Sequence, residues 1–122
     1  MGAGLRMILA IDFDGTIIEN GYWPEIGPMI PGAYTALRQL HKAGHKIIIN
    51  SCRAGMAERE MKLWLVANNI PFDAVNENLP ECLEEYGEDC RKISADMYID
   101  DKGFGCRIDW PAICSVILRG DE

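Results

Sequence analysis

The chain has 122 residues, 48% of them hydrophobic, which suffices for one domain with a buried core over residues 1–122. Its 19 acidic and 12 basic residues give a formal net charge of -7, which disfavours nucleic acid and anionic membranes as partners. The sequence has no apolar stretch near the roughly 20 residues of a membrane helix, and no basic segment followed by an apolar one at its N-terminus. We therefore expect a cytoplasmic protein.

Apolar runs and helical patterns alternate along the chain. The run Met7–Ile11 has no polar alternation, which is typical of a strand buried on both faces of a parallel sheet. Residues 19–31 contain three prolines and two glycines, which favours a structured loop. The other predicted elements, in chain order, are a helix from Pro31 to about Ala43, strand Ile47–Ile49, a helix over 55–69, strand Phe72–Val75, a short helix Pro80–Tyr86, strand Met97–Ile99, and a helix from an N-cap at Asp109 through Leu118. This alternation predicts an α/β domain with a mainly parallel sheet.

Polar side chains follow three of these strands at the point where each strand ends. Asp12 and Asp14 come after the first strand, Ser51 after the second, and Asp100 and Asp101 after the fourth. The carboxyl ends of parallel strands meet at one edge of a sheet, where ligands bind in the crevice between the loops. Carboxylates held close together repel each other unless a cation lies between them, and Mg²⁺ is the divalent cation that most often takes oxygen ligands in this way.

Such a set of side chains has a coherent use in phosphoryl transfer. A carboxylate can attack phosphorus to give an acyl phosphate, provided that a metal and a cationic side chain neutralise the phosphoryl oxygens. A neighbouring carboxylic acid can protonate the leaving alcohol and then activate the water that opens the intermediate.

The motif Asp12-Phe13-Asp14-Gly15-Thr16 resembles the DxDGT signature of the haloacid dehalogenase (HAD) superfamily. Three further motifs of that superfamily are matched in the expected order, by Ser51, by Lys92 and by the pair Asp100 and Asp101. The resemblance implies a Rossmann-like, three-layer sandwich around a central parallel sheet, and Mg²⁺-dependent hydrolysis of phosphate esters through an aspartyl phosphate.

Roles for individual residues also follow from the resemblance. Asp12 would be the nucleophile and a metal ligand, and Asp14 the general acid and base, with its backbone carbonyl also reaching the metal. Ser51 would donate a hydrogen bond to the transferring phosphoryl group, and Lys92 would pair with that group and with Asp12. Two further sets are implied: Gly15 and Thr16 at the phosphate or substrate, and Asp100 and Asp101 at the metal, with Asp101 favoured as the direct ligand.

A narrower resemblance concerns small HAD proteins that have no cap domain. It is carried by the segments WPEIGPMIPGA, INSCRAG, FDAVNENLPE and YIDDKGFG. It implies that Arg53 belongs to the site, where a guanidinium two residues past Ser51 would clamp a phosphate or an acidic leaving group bidentately. The gaps between the four motifs are already filled by elements of the sheet, which leaves no room for a cap.

Some of these side chains also have plainer interpretations. The Ser51 hydroxyl, at a strand end, could bond only to its own backbone. Arg53 could be an exposed partner of Glu58. The histidines His41 and His45 flank a helix-to-strand turn away from the polar edge, and both are expected on the surface.

The sequence thus predicts a capless phosphatase that acts on a small phosphorylated substrate, with sugar or nucleotide phosphates ahead of nucleic-acid termini and phosphoproteins. A second subunit that closes the open crevice, in a homo-oligomer, would be compatible with this function. A receiver-like phosphoaspartate module is disfavoured, because the strand before Asn50 and Ser51 carries no acceptor carboxylate at its end. A protein that binds a phospholigand without turnover stays open, because binding and turnover use the same residues.

Overall fold

The computed structural model of the protein describes residues 6–77, 79, 95–101 and 108–119. Its elements, in chain order, are β1 (Ile8–Ile11), α1 (Ala33–Lys42), β2 (Lys46–Ile49), α2 (Met56–Ala67), β3 (Ala74–Val75), β4 (Met97–Ile99) and α3 (Trp110–Arg119). The predicted strands and helices within the described residues are all present, with ends that differ by at most two residues. The predicted helix Pro80–Tyr86 lies outside the described residues.

The described strands form one parallel sheet in the order β3-β2-β1-β4. Strand β1 lies between β2 and β4, and its last residue, Ile11, is level with Ile49 and Ile99 at the carboxyl ends of those strands. Leu9, Ala10 and Ile11 are almost inaccessible to solvent. The prediction of a central strand buried on both faces is therefore confirmed.

The three described helices pack on the same face of the sheet. Their apolar side chains form one cluster with Leu9, Ile11, Ile47 and Ile49, which point to that face. For α1 and α2 this follows from topology, because β1, β2 and β3 succeed one another in one direction and right-handed connections then lie on one side. Helix α3, which follows β4, packs against α1. Helices on the opposite face of the sheet, the third layer that the resemblance implies, are not among the described residues. No cap is present among the described residues, and no described helix is long and apolar enough to span a membrane.

The two helix starts that we predicted have different outcomes. Helix α1 begins at Ala33 rather than at Pro31, because Gly32 takes a left-handed φ of 87° that a helix does not continue through. Helix α3 begins as predicted, since the Asp109 carboxylate accepts the N–H of Ala112 at 3.2 Å as an N-cap.

The surface position expected for His45 is wrong. Its side chain is buried, and its Nδ1 accepts the backbone N–H of Met7 at 3.0 Å, which ties the start of β1 to the start of β2. His41 is partly exposed as expected, with its Nε2 3.4 Å from the Asp73 carboxylate.

Candidate functional site

The carboxyl ends of β1, β2 and β4 meet at one edge of the sheet. The backbone N–H of Asp12 donates to the carbonyl of Ile99 at 3.0 Å, and that of Asn50 donates to the carbonyl of Ile11 at 2.8 Å. The polar side chains that follow the three strands are thereby brought to one level. They line a cavity of about 200 Å³, whose polar members include Asp12, Asn50, Ser51 and Asp100.

The loop that follows β1 is a tight turn around the carbonyl of Phe13. That carbonyl accepts the N–H groups of Thr16, Ile17 and Ile18 at 3.2, 2.9 and 3.1 Å. The turn is anchored in the core at both ends, because the buried Phe13 ring meets the Trp64 ring edge-on at 5.5 Å and the indole N–H of Trp110 donates to the Thr16 carbonyl at 2.8 Å. A turn held in this way fixes the positions from which the flanking aspartates project.

Thr16 and Gly15 serve this turn structurally. The Thr16 side chain is fully buried, and its hydroxyl has no hydrogen-bond partner among the described residues, so it does not line the cavity. Gly15 has a φ of 84°. A Cβ on Gly15 would overlap the Asp101 carboxylate and the Asn20 amide, and would lie 2.7 Å from Asp101 Cγ. The glycine of the motif therefore makes room for Asp101, while phosphate binding by Gly15 and Thr16 stays a prediction.

Asp101 is the described acidic residue with an unsatisfied buried oxygen. Its Oδ2 accepts a hydrogen bond from Asn20 Nδ2 at 2.9 Å, whereas its buried Oδ1 has no partner in the described part of the chain. A buried carboxylate oxygen without a partner is costly, and a cation or an ordered water would relieve that cost. Asn20 itself was not anticipated from the sequence, since it lies in the loop without a motif.

The fit of Mg²⁺ to these residues depends on which atoms are counted. No group of three His, Cys, Asp or Glu side chains among the described residues is arranged to hold a metal. The set implied by the resemblance needs only two side-chain carboxylates, that of Asp12 and that of either Asp100 or Asp101. Its third ligand is the backbone carbonyl of Asp14. Mg²⁺ keeps several water ligands and is often held by only one or two carboxylates. The hard oxygen donors and the unsatisfied Asp101 Oδ1 fit such a site.

Asp14 is held by Arg53 through two parallel hydrogen bonds. Arg53 Nε donates to Asp14 Oδ2 and Arg53 Nη2 to Asp14 Oδ1, both at 2.8 Å. The Arg53 side chain is only 1% exposed, whereas that of Asp14 is 31% exposed. The carboxylate therefore has a buried side that faces the guanidinium and an accessible side that does not.

The remaining contacts of Arg53 go to the loop over residues 19–31. Its Nη1 donates to the carbonyl of Pro24 at 3.1 Å and its Nη2 to that of Glu25 at 3.0 Å. The guanidinium carbon lies over the Phe13 ring, 5.4 Å from its centre, and over the Trp23 ring, 4.9 Å from its centre. Arg53 is thus enclosed by the protein itself.

This placement differs from both sequence interpretations of Arg53. The exposed pairing with Glu58 is wrong, since Arg53 is buried and Glu58 instead accepts a hydrogen bond from Asn76 at 2.7 Å. The predicted phosphate clamp needs two parallel N–H donors of Arg53. Four of its five guanidinium N–H groups already bond within the protein, and the parallel pair binds the Asp14 carboxylate. A direct contact between Arg53 and a phosphate stays a prediction.

Ser51 lines the cavity and its hydroxyl also supports the local backbone. Its Oγ accepts the N–H of Arg53 at 3.0 Å, which leaves its own O–H proton for another acceptor. Asn76 Oδ1 accepts the N–H of Ser51 at 2.7 Å, and Asn76 has a left-handed φ of 53°. Sequence reasoning missed this asparagine, although an Asn directly after a strand is a common left-handed turn residue. Lys92 lies outside the described residues.

Neither a protein-family model nor a curated protein matches the chain. A solved structure of a conserved protein from Bacteroides thetaiotaomicron is similar to it, with a TM-score of 0.84 and 36% sequence identity. The match covers 97% of this chain and 94% of that one, so the two proteins share their fold over nearly their whole lengths.

Proposed function

We propose that this chain, which belongs to the same family as the conserved Bacteroides protein, is a cytoplasmic Mg²⁺-dependent phosphatase of the HAD type. It hydrolyses small phosphomonoesters, of which sugar and nucleotide phosphates are favoured. The observation that carries the proposal is that Asp12, Ser51 and Asp100, at the ends of three parallel strands, line the same cavity. The resemblance of the four motifs to those of the HAD superfamily supports the same activity.

In the first step of the proposed reaction, a carboxylate oxygen of Asp12 attacks the phosphorus of the ester. The new bond joins Asp12 to phosphorus while the bond to the leaving oxygen breaks, and Asp14 gives that oxygen a proton. The Ser51 hydroxyl, whose proton is not used by the Arg53 contact, donates to a phosphoryl oxygen. The product of this step is an aspartyl phosphate on Asp12 and a free alcohol.

In the second step, water attacks the phosphorus of the aspartyl phosphate. Asp14, left ionised by the first step, takes a proton from that water, and the bond between Asp12 and phosphorus breaks. Inorganic phosphate leaves and both carboxyl groups return to their initial states. Each aspartate thus has a separate role, with Asp12 forming the covalent bond and Asp14 moving the proton.

The carboxylates of Asp12 and Asp101 and the backbone carbonyl of Asp14 would hold the metal. Mg²⁺, when bound, supplies positive charge that offsets the negative charge of the phosphoryl oxygens. Asp101 is preferred over the exposed Asp100 as the direct ligand, because its buried Oδ1 has no partner among the described residues.

One feature favours a second candidate function, the binding of a phosphorylated ligand without turnover. Both oxygens of Asp14 accept hydrogen bonds from Arg53, so the carboxylate that should carry the proton is strongly held. If this contact prevents proton transfer, the protein would bind a phosphate ester, or keep a phosphoryl group on Asp12, without releasing phosphate.

A panel of phosphate esters with measured release of inorganic phosphate separates these functions. We expect turnover with Mg²⁺, none with a chelator, and none in Asp12→Asn. Asp109→Asn is the matched control, because it makes the same chemical change at a helix N-cap where asparagine also caps well. Turnover that survives in Asp12→Asn would refute the nucleophile assignment. Mg²⁺-dependent binding of the esters without any phosphate release would favour the second candidate.

A further inference from the structure

Arg53 is a buried cation to which the two steps of the proposed reaction assign no role. It lies two residues past Ser51, yet its side chain turns away from the cavity residues and closes on Asp14. Burying a guanidinium costs several kcal/mol unless it is fully paired, so its surroundings are specific to this group.

The contacts of Arg53 select an arginine over a lysine. Two parallel N–H donors face the two oxygens of Asp14, and two more face the carbonyls of Pro24 and Glu25. The guanidinium carbon also lies over two aromatic rings, those of Phe13 and Trp23. A lysine ammonium has no fork and no flat face, so it can replace the charge but not this geometry.

We propose that Arg53 is a positioning residue that holds Asp14 in the orientation from which it gives and takes the proton. This inference rests on the proposed phosphatase activity. The guanidinium that contacts the Asp14 carboxylate is buried, whereas 31% of the Asp14 side chain is exposed to solvent. A carboxylate has about four lone-pair sites and Arg53 uses two of them, so a proton can still be carried on the accessible side.

The loop over residues 19–31 also helps to position Asp14, through its contacts with Arg53. Its backbone carbonyls at Pro24 and Glu25 orient the guanidinium. The loop is in turn tied to the turn after β1, because the N–H of Ile30 donates to the carbonyl of Ile17 at 2.8 Å. The position of Asp14 is therefore set by the nucleophile's own loop, by the loop that follows it, and by Arg53 from the segment between β2 and α2.

The leaving group of the ester distinguishes a positioning role from a structural one. An alkyl alkoxide leaves only if it is protonated, whereas p-nitrophenolate leaves without a proton. Loss of general acid catalysis should thus slow release of an alkyl alcohol strongly and release of p-nitrophenol weakly. The quantity to measure is the rate of the first turnover in rapid mixing, because the second step needs Asp14 with either ester.

The variants are Arg53→Lys and Arg53→Met, compared with Asp14→Asn. We expect the first-turnover rate to fall about 100-fold on the alkyl ester and less than about tenfold on p-nitrophenyl phosphate, with KM little changed, as general acid catalysis contributes about 10²- to 10⁴-fold. The control is Arg38→Met, because Arg38 also lies over an aromatic ring, that of Tyr34, and donates to the backbone carbonyl of Asn69, but pairs with no carboxylate among the described residues. It should leave both rates unchanged.

Equal losses on the two esters would overturn the proposal, and so would a raised KM with an unchanged rate, which is the signature of a direct phosphate ligand.

If Arg53→Met does not fold, Arg53→Lys and Trp23→Ala carry the test, since Trp23 is 62% exposed and its removal leaves the core intact. Trp23→Ala should reproduce the selective loss on the alkyl ester in weaker form. A wild-type protein that hydrolyses neither ester overturns the phosphatase function and this inference together, whereas an active wild type with unselective Arg53 variants overturns the inference alone.

Discussion

Replacing Gly15 by alanine is expected to destabilise the protein through Asp101 as well as through the backbone. Gly15 has a φ of 84°, and a left-handed backbone costs a residue with a Cβ about 1–2 kcal/mol. The new methyl group would also overlap the Asp101 carboxylate, which must move and lose its hydrogen bond to Asn20. A hydrogen bond to a charged group contributes about 1.5–3 kcal/mol, so the total loss in the free energy of unfolding should reach about 2.5–5 kcal/mol.

Gly21→Ala is the matched control for this variant. Gly21 has a φ of 97°, but a Cβ there would meet nothing within 4 Å in the part of the chain that the structure describes. It should therefore show only the backbone cost of about 1–2 kcal/mol. Urea unfolding of the two variants and the wild type measures the difference, which isolates the displacement of Asp101. Equal destabilisation by the two substitutions would refute the idea that Gly15 exists to admit Asp101.

The same pair of variants tests the metal site. A ligand that binds only the folded state raises the free energy of unfolding, so Mg²⁺ should stabilise the wild type. Since Gly21 has no contact with the carboxylates, Gly21→Ala should keep this gain, while Gly15→Ala should lose most of it. A full Mg²⁺ gain in Gly15→Ala would place the metal away from Asp101.

Three further outcomes are expected. Trp110→Phe should lower the free energy of unfolding in urea by about 1–3 kcal/mol, because the Thr16 carbonyl loses its indole donor; an unchanged value would show that this bond does not anchor the turn. Burial raises the pKa of the Cys114 thiol above its ordinary value of 9.0. Above that pH the thiol ionises in the unfolded chain before it does so in the folded protein, so the free energy of unfolding is highest below that pH and falls above it. Between about pH 8 and about pH 10 the wild type should thus lose more stability than Cys114→Ala, and equal losses would contradict this assignment. Asp101→Asn should be at least as stable as the wild type in a chelator, since it removes a buried charge, but should gain nothing from Mg²⁺; a retained gain would exclude Asp101 as the ligand.

The strands and their polar ends could be predicted because they depend on local patterns. The run Ile47–Ile49 is apolar without interruption, Asp12 and Asp100 directly follow strands, and Ser51 lies two residues after the end of one. Parallel pairing then brings those residues to one edge whatever the details of the loops. Gly15 was expected at the phosphate, and its close approach to Asp101 was not anticipated from the motif.

The contacts that could not be predicted join side chains that are distant in sequence. The pairing of Arg53 with Asp14 spans 39 positions and depends on how the loop over residues 19–31 folds back. The buried His45 contacts Met7, which directly precedes β1. Neither contact leaves a periodic signal, and both concern polar residues that are more often exposed.

The aspartyl phosphate is the most direct test of the proposed reaction. The Asp14→Asn variant, which should form the intermediate but hydrolyse it slowly, is mixed with Mg²⁺ and an aryl phosphate, quenched in acid, and mapped by peptide mass spectrometry. We expect the mass of one phosphoryl group on the peptide that contains Asp12, and none when Asp12→Asn is added to the variant. Rapid release of phosphate by the wild type without a phosphorylated Asp12, or a phosphoryl group on any other residue, would contradict the mechanism.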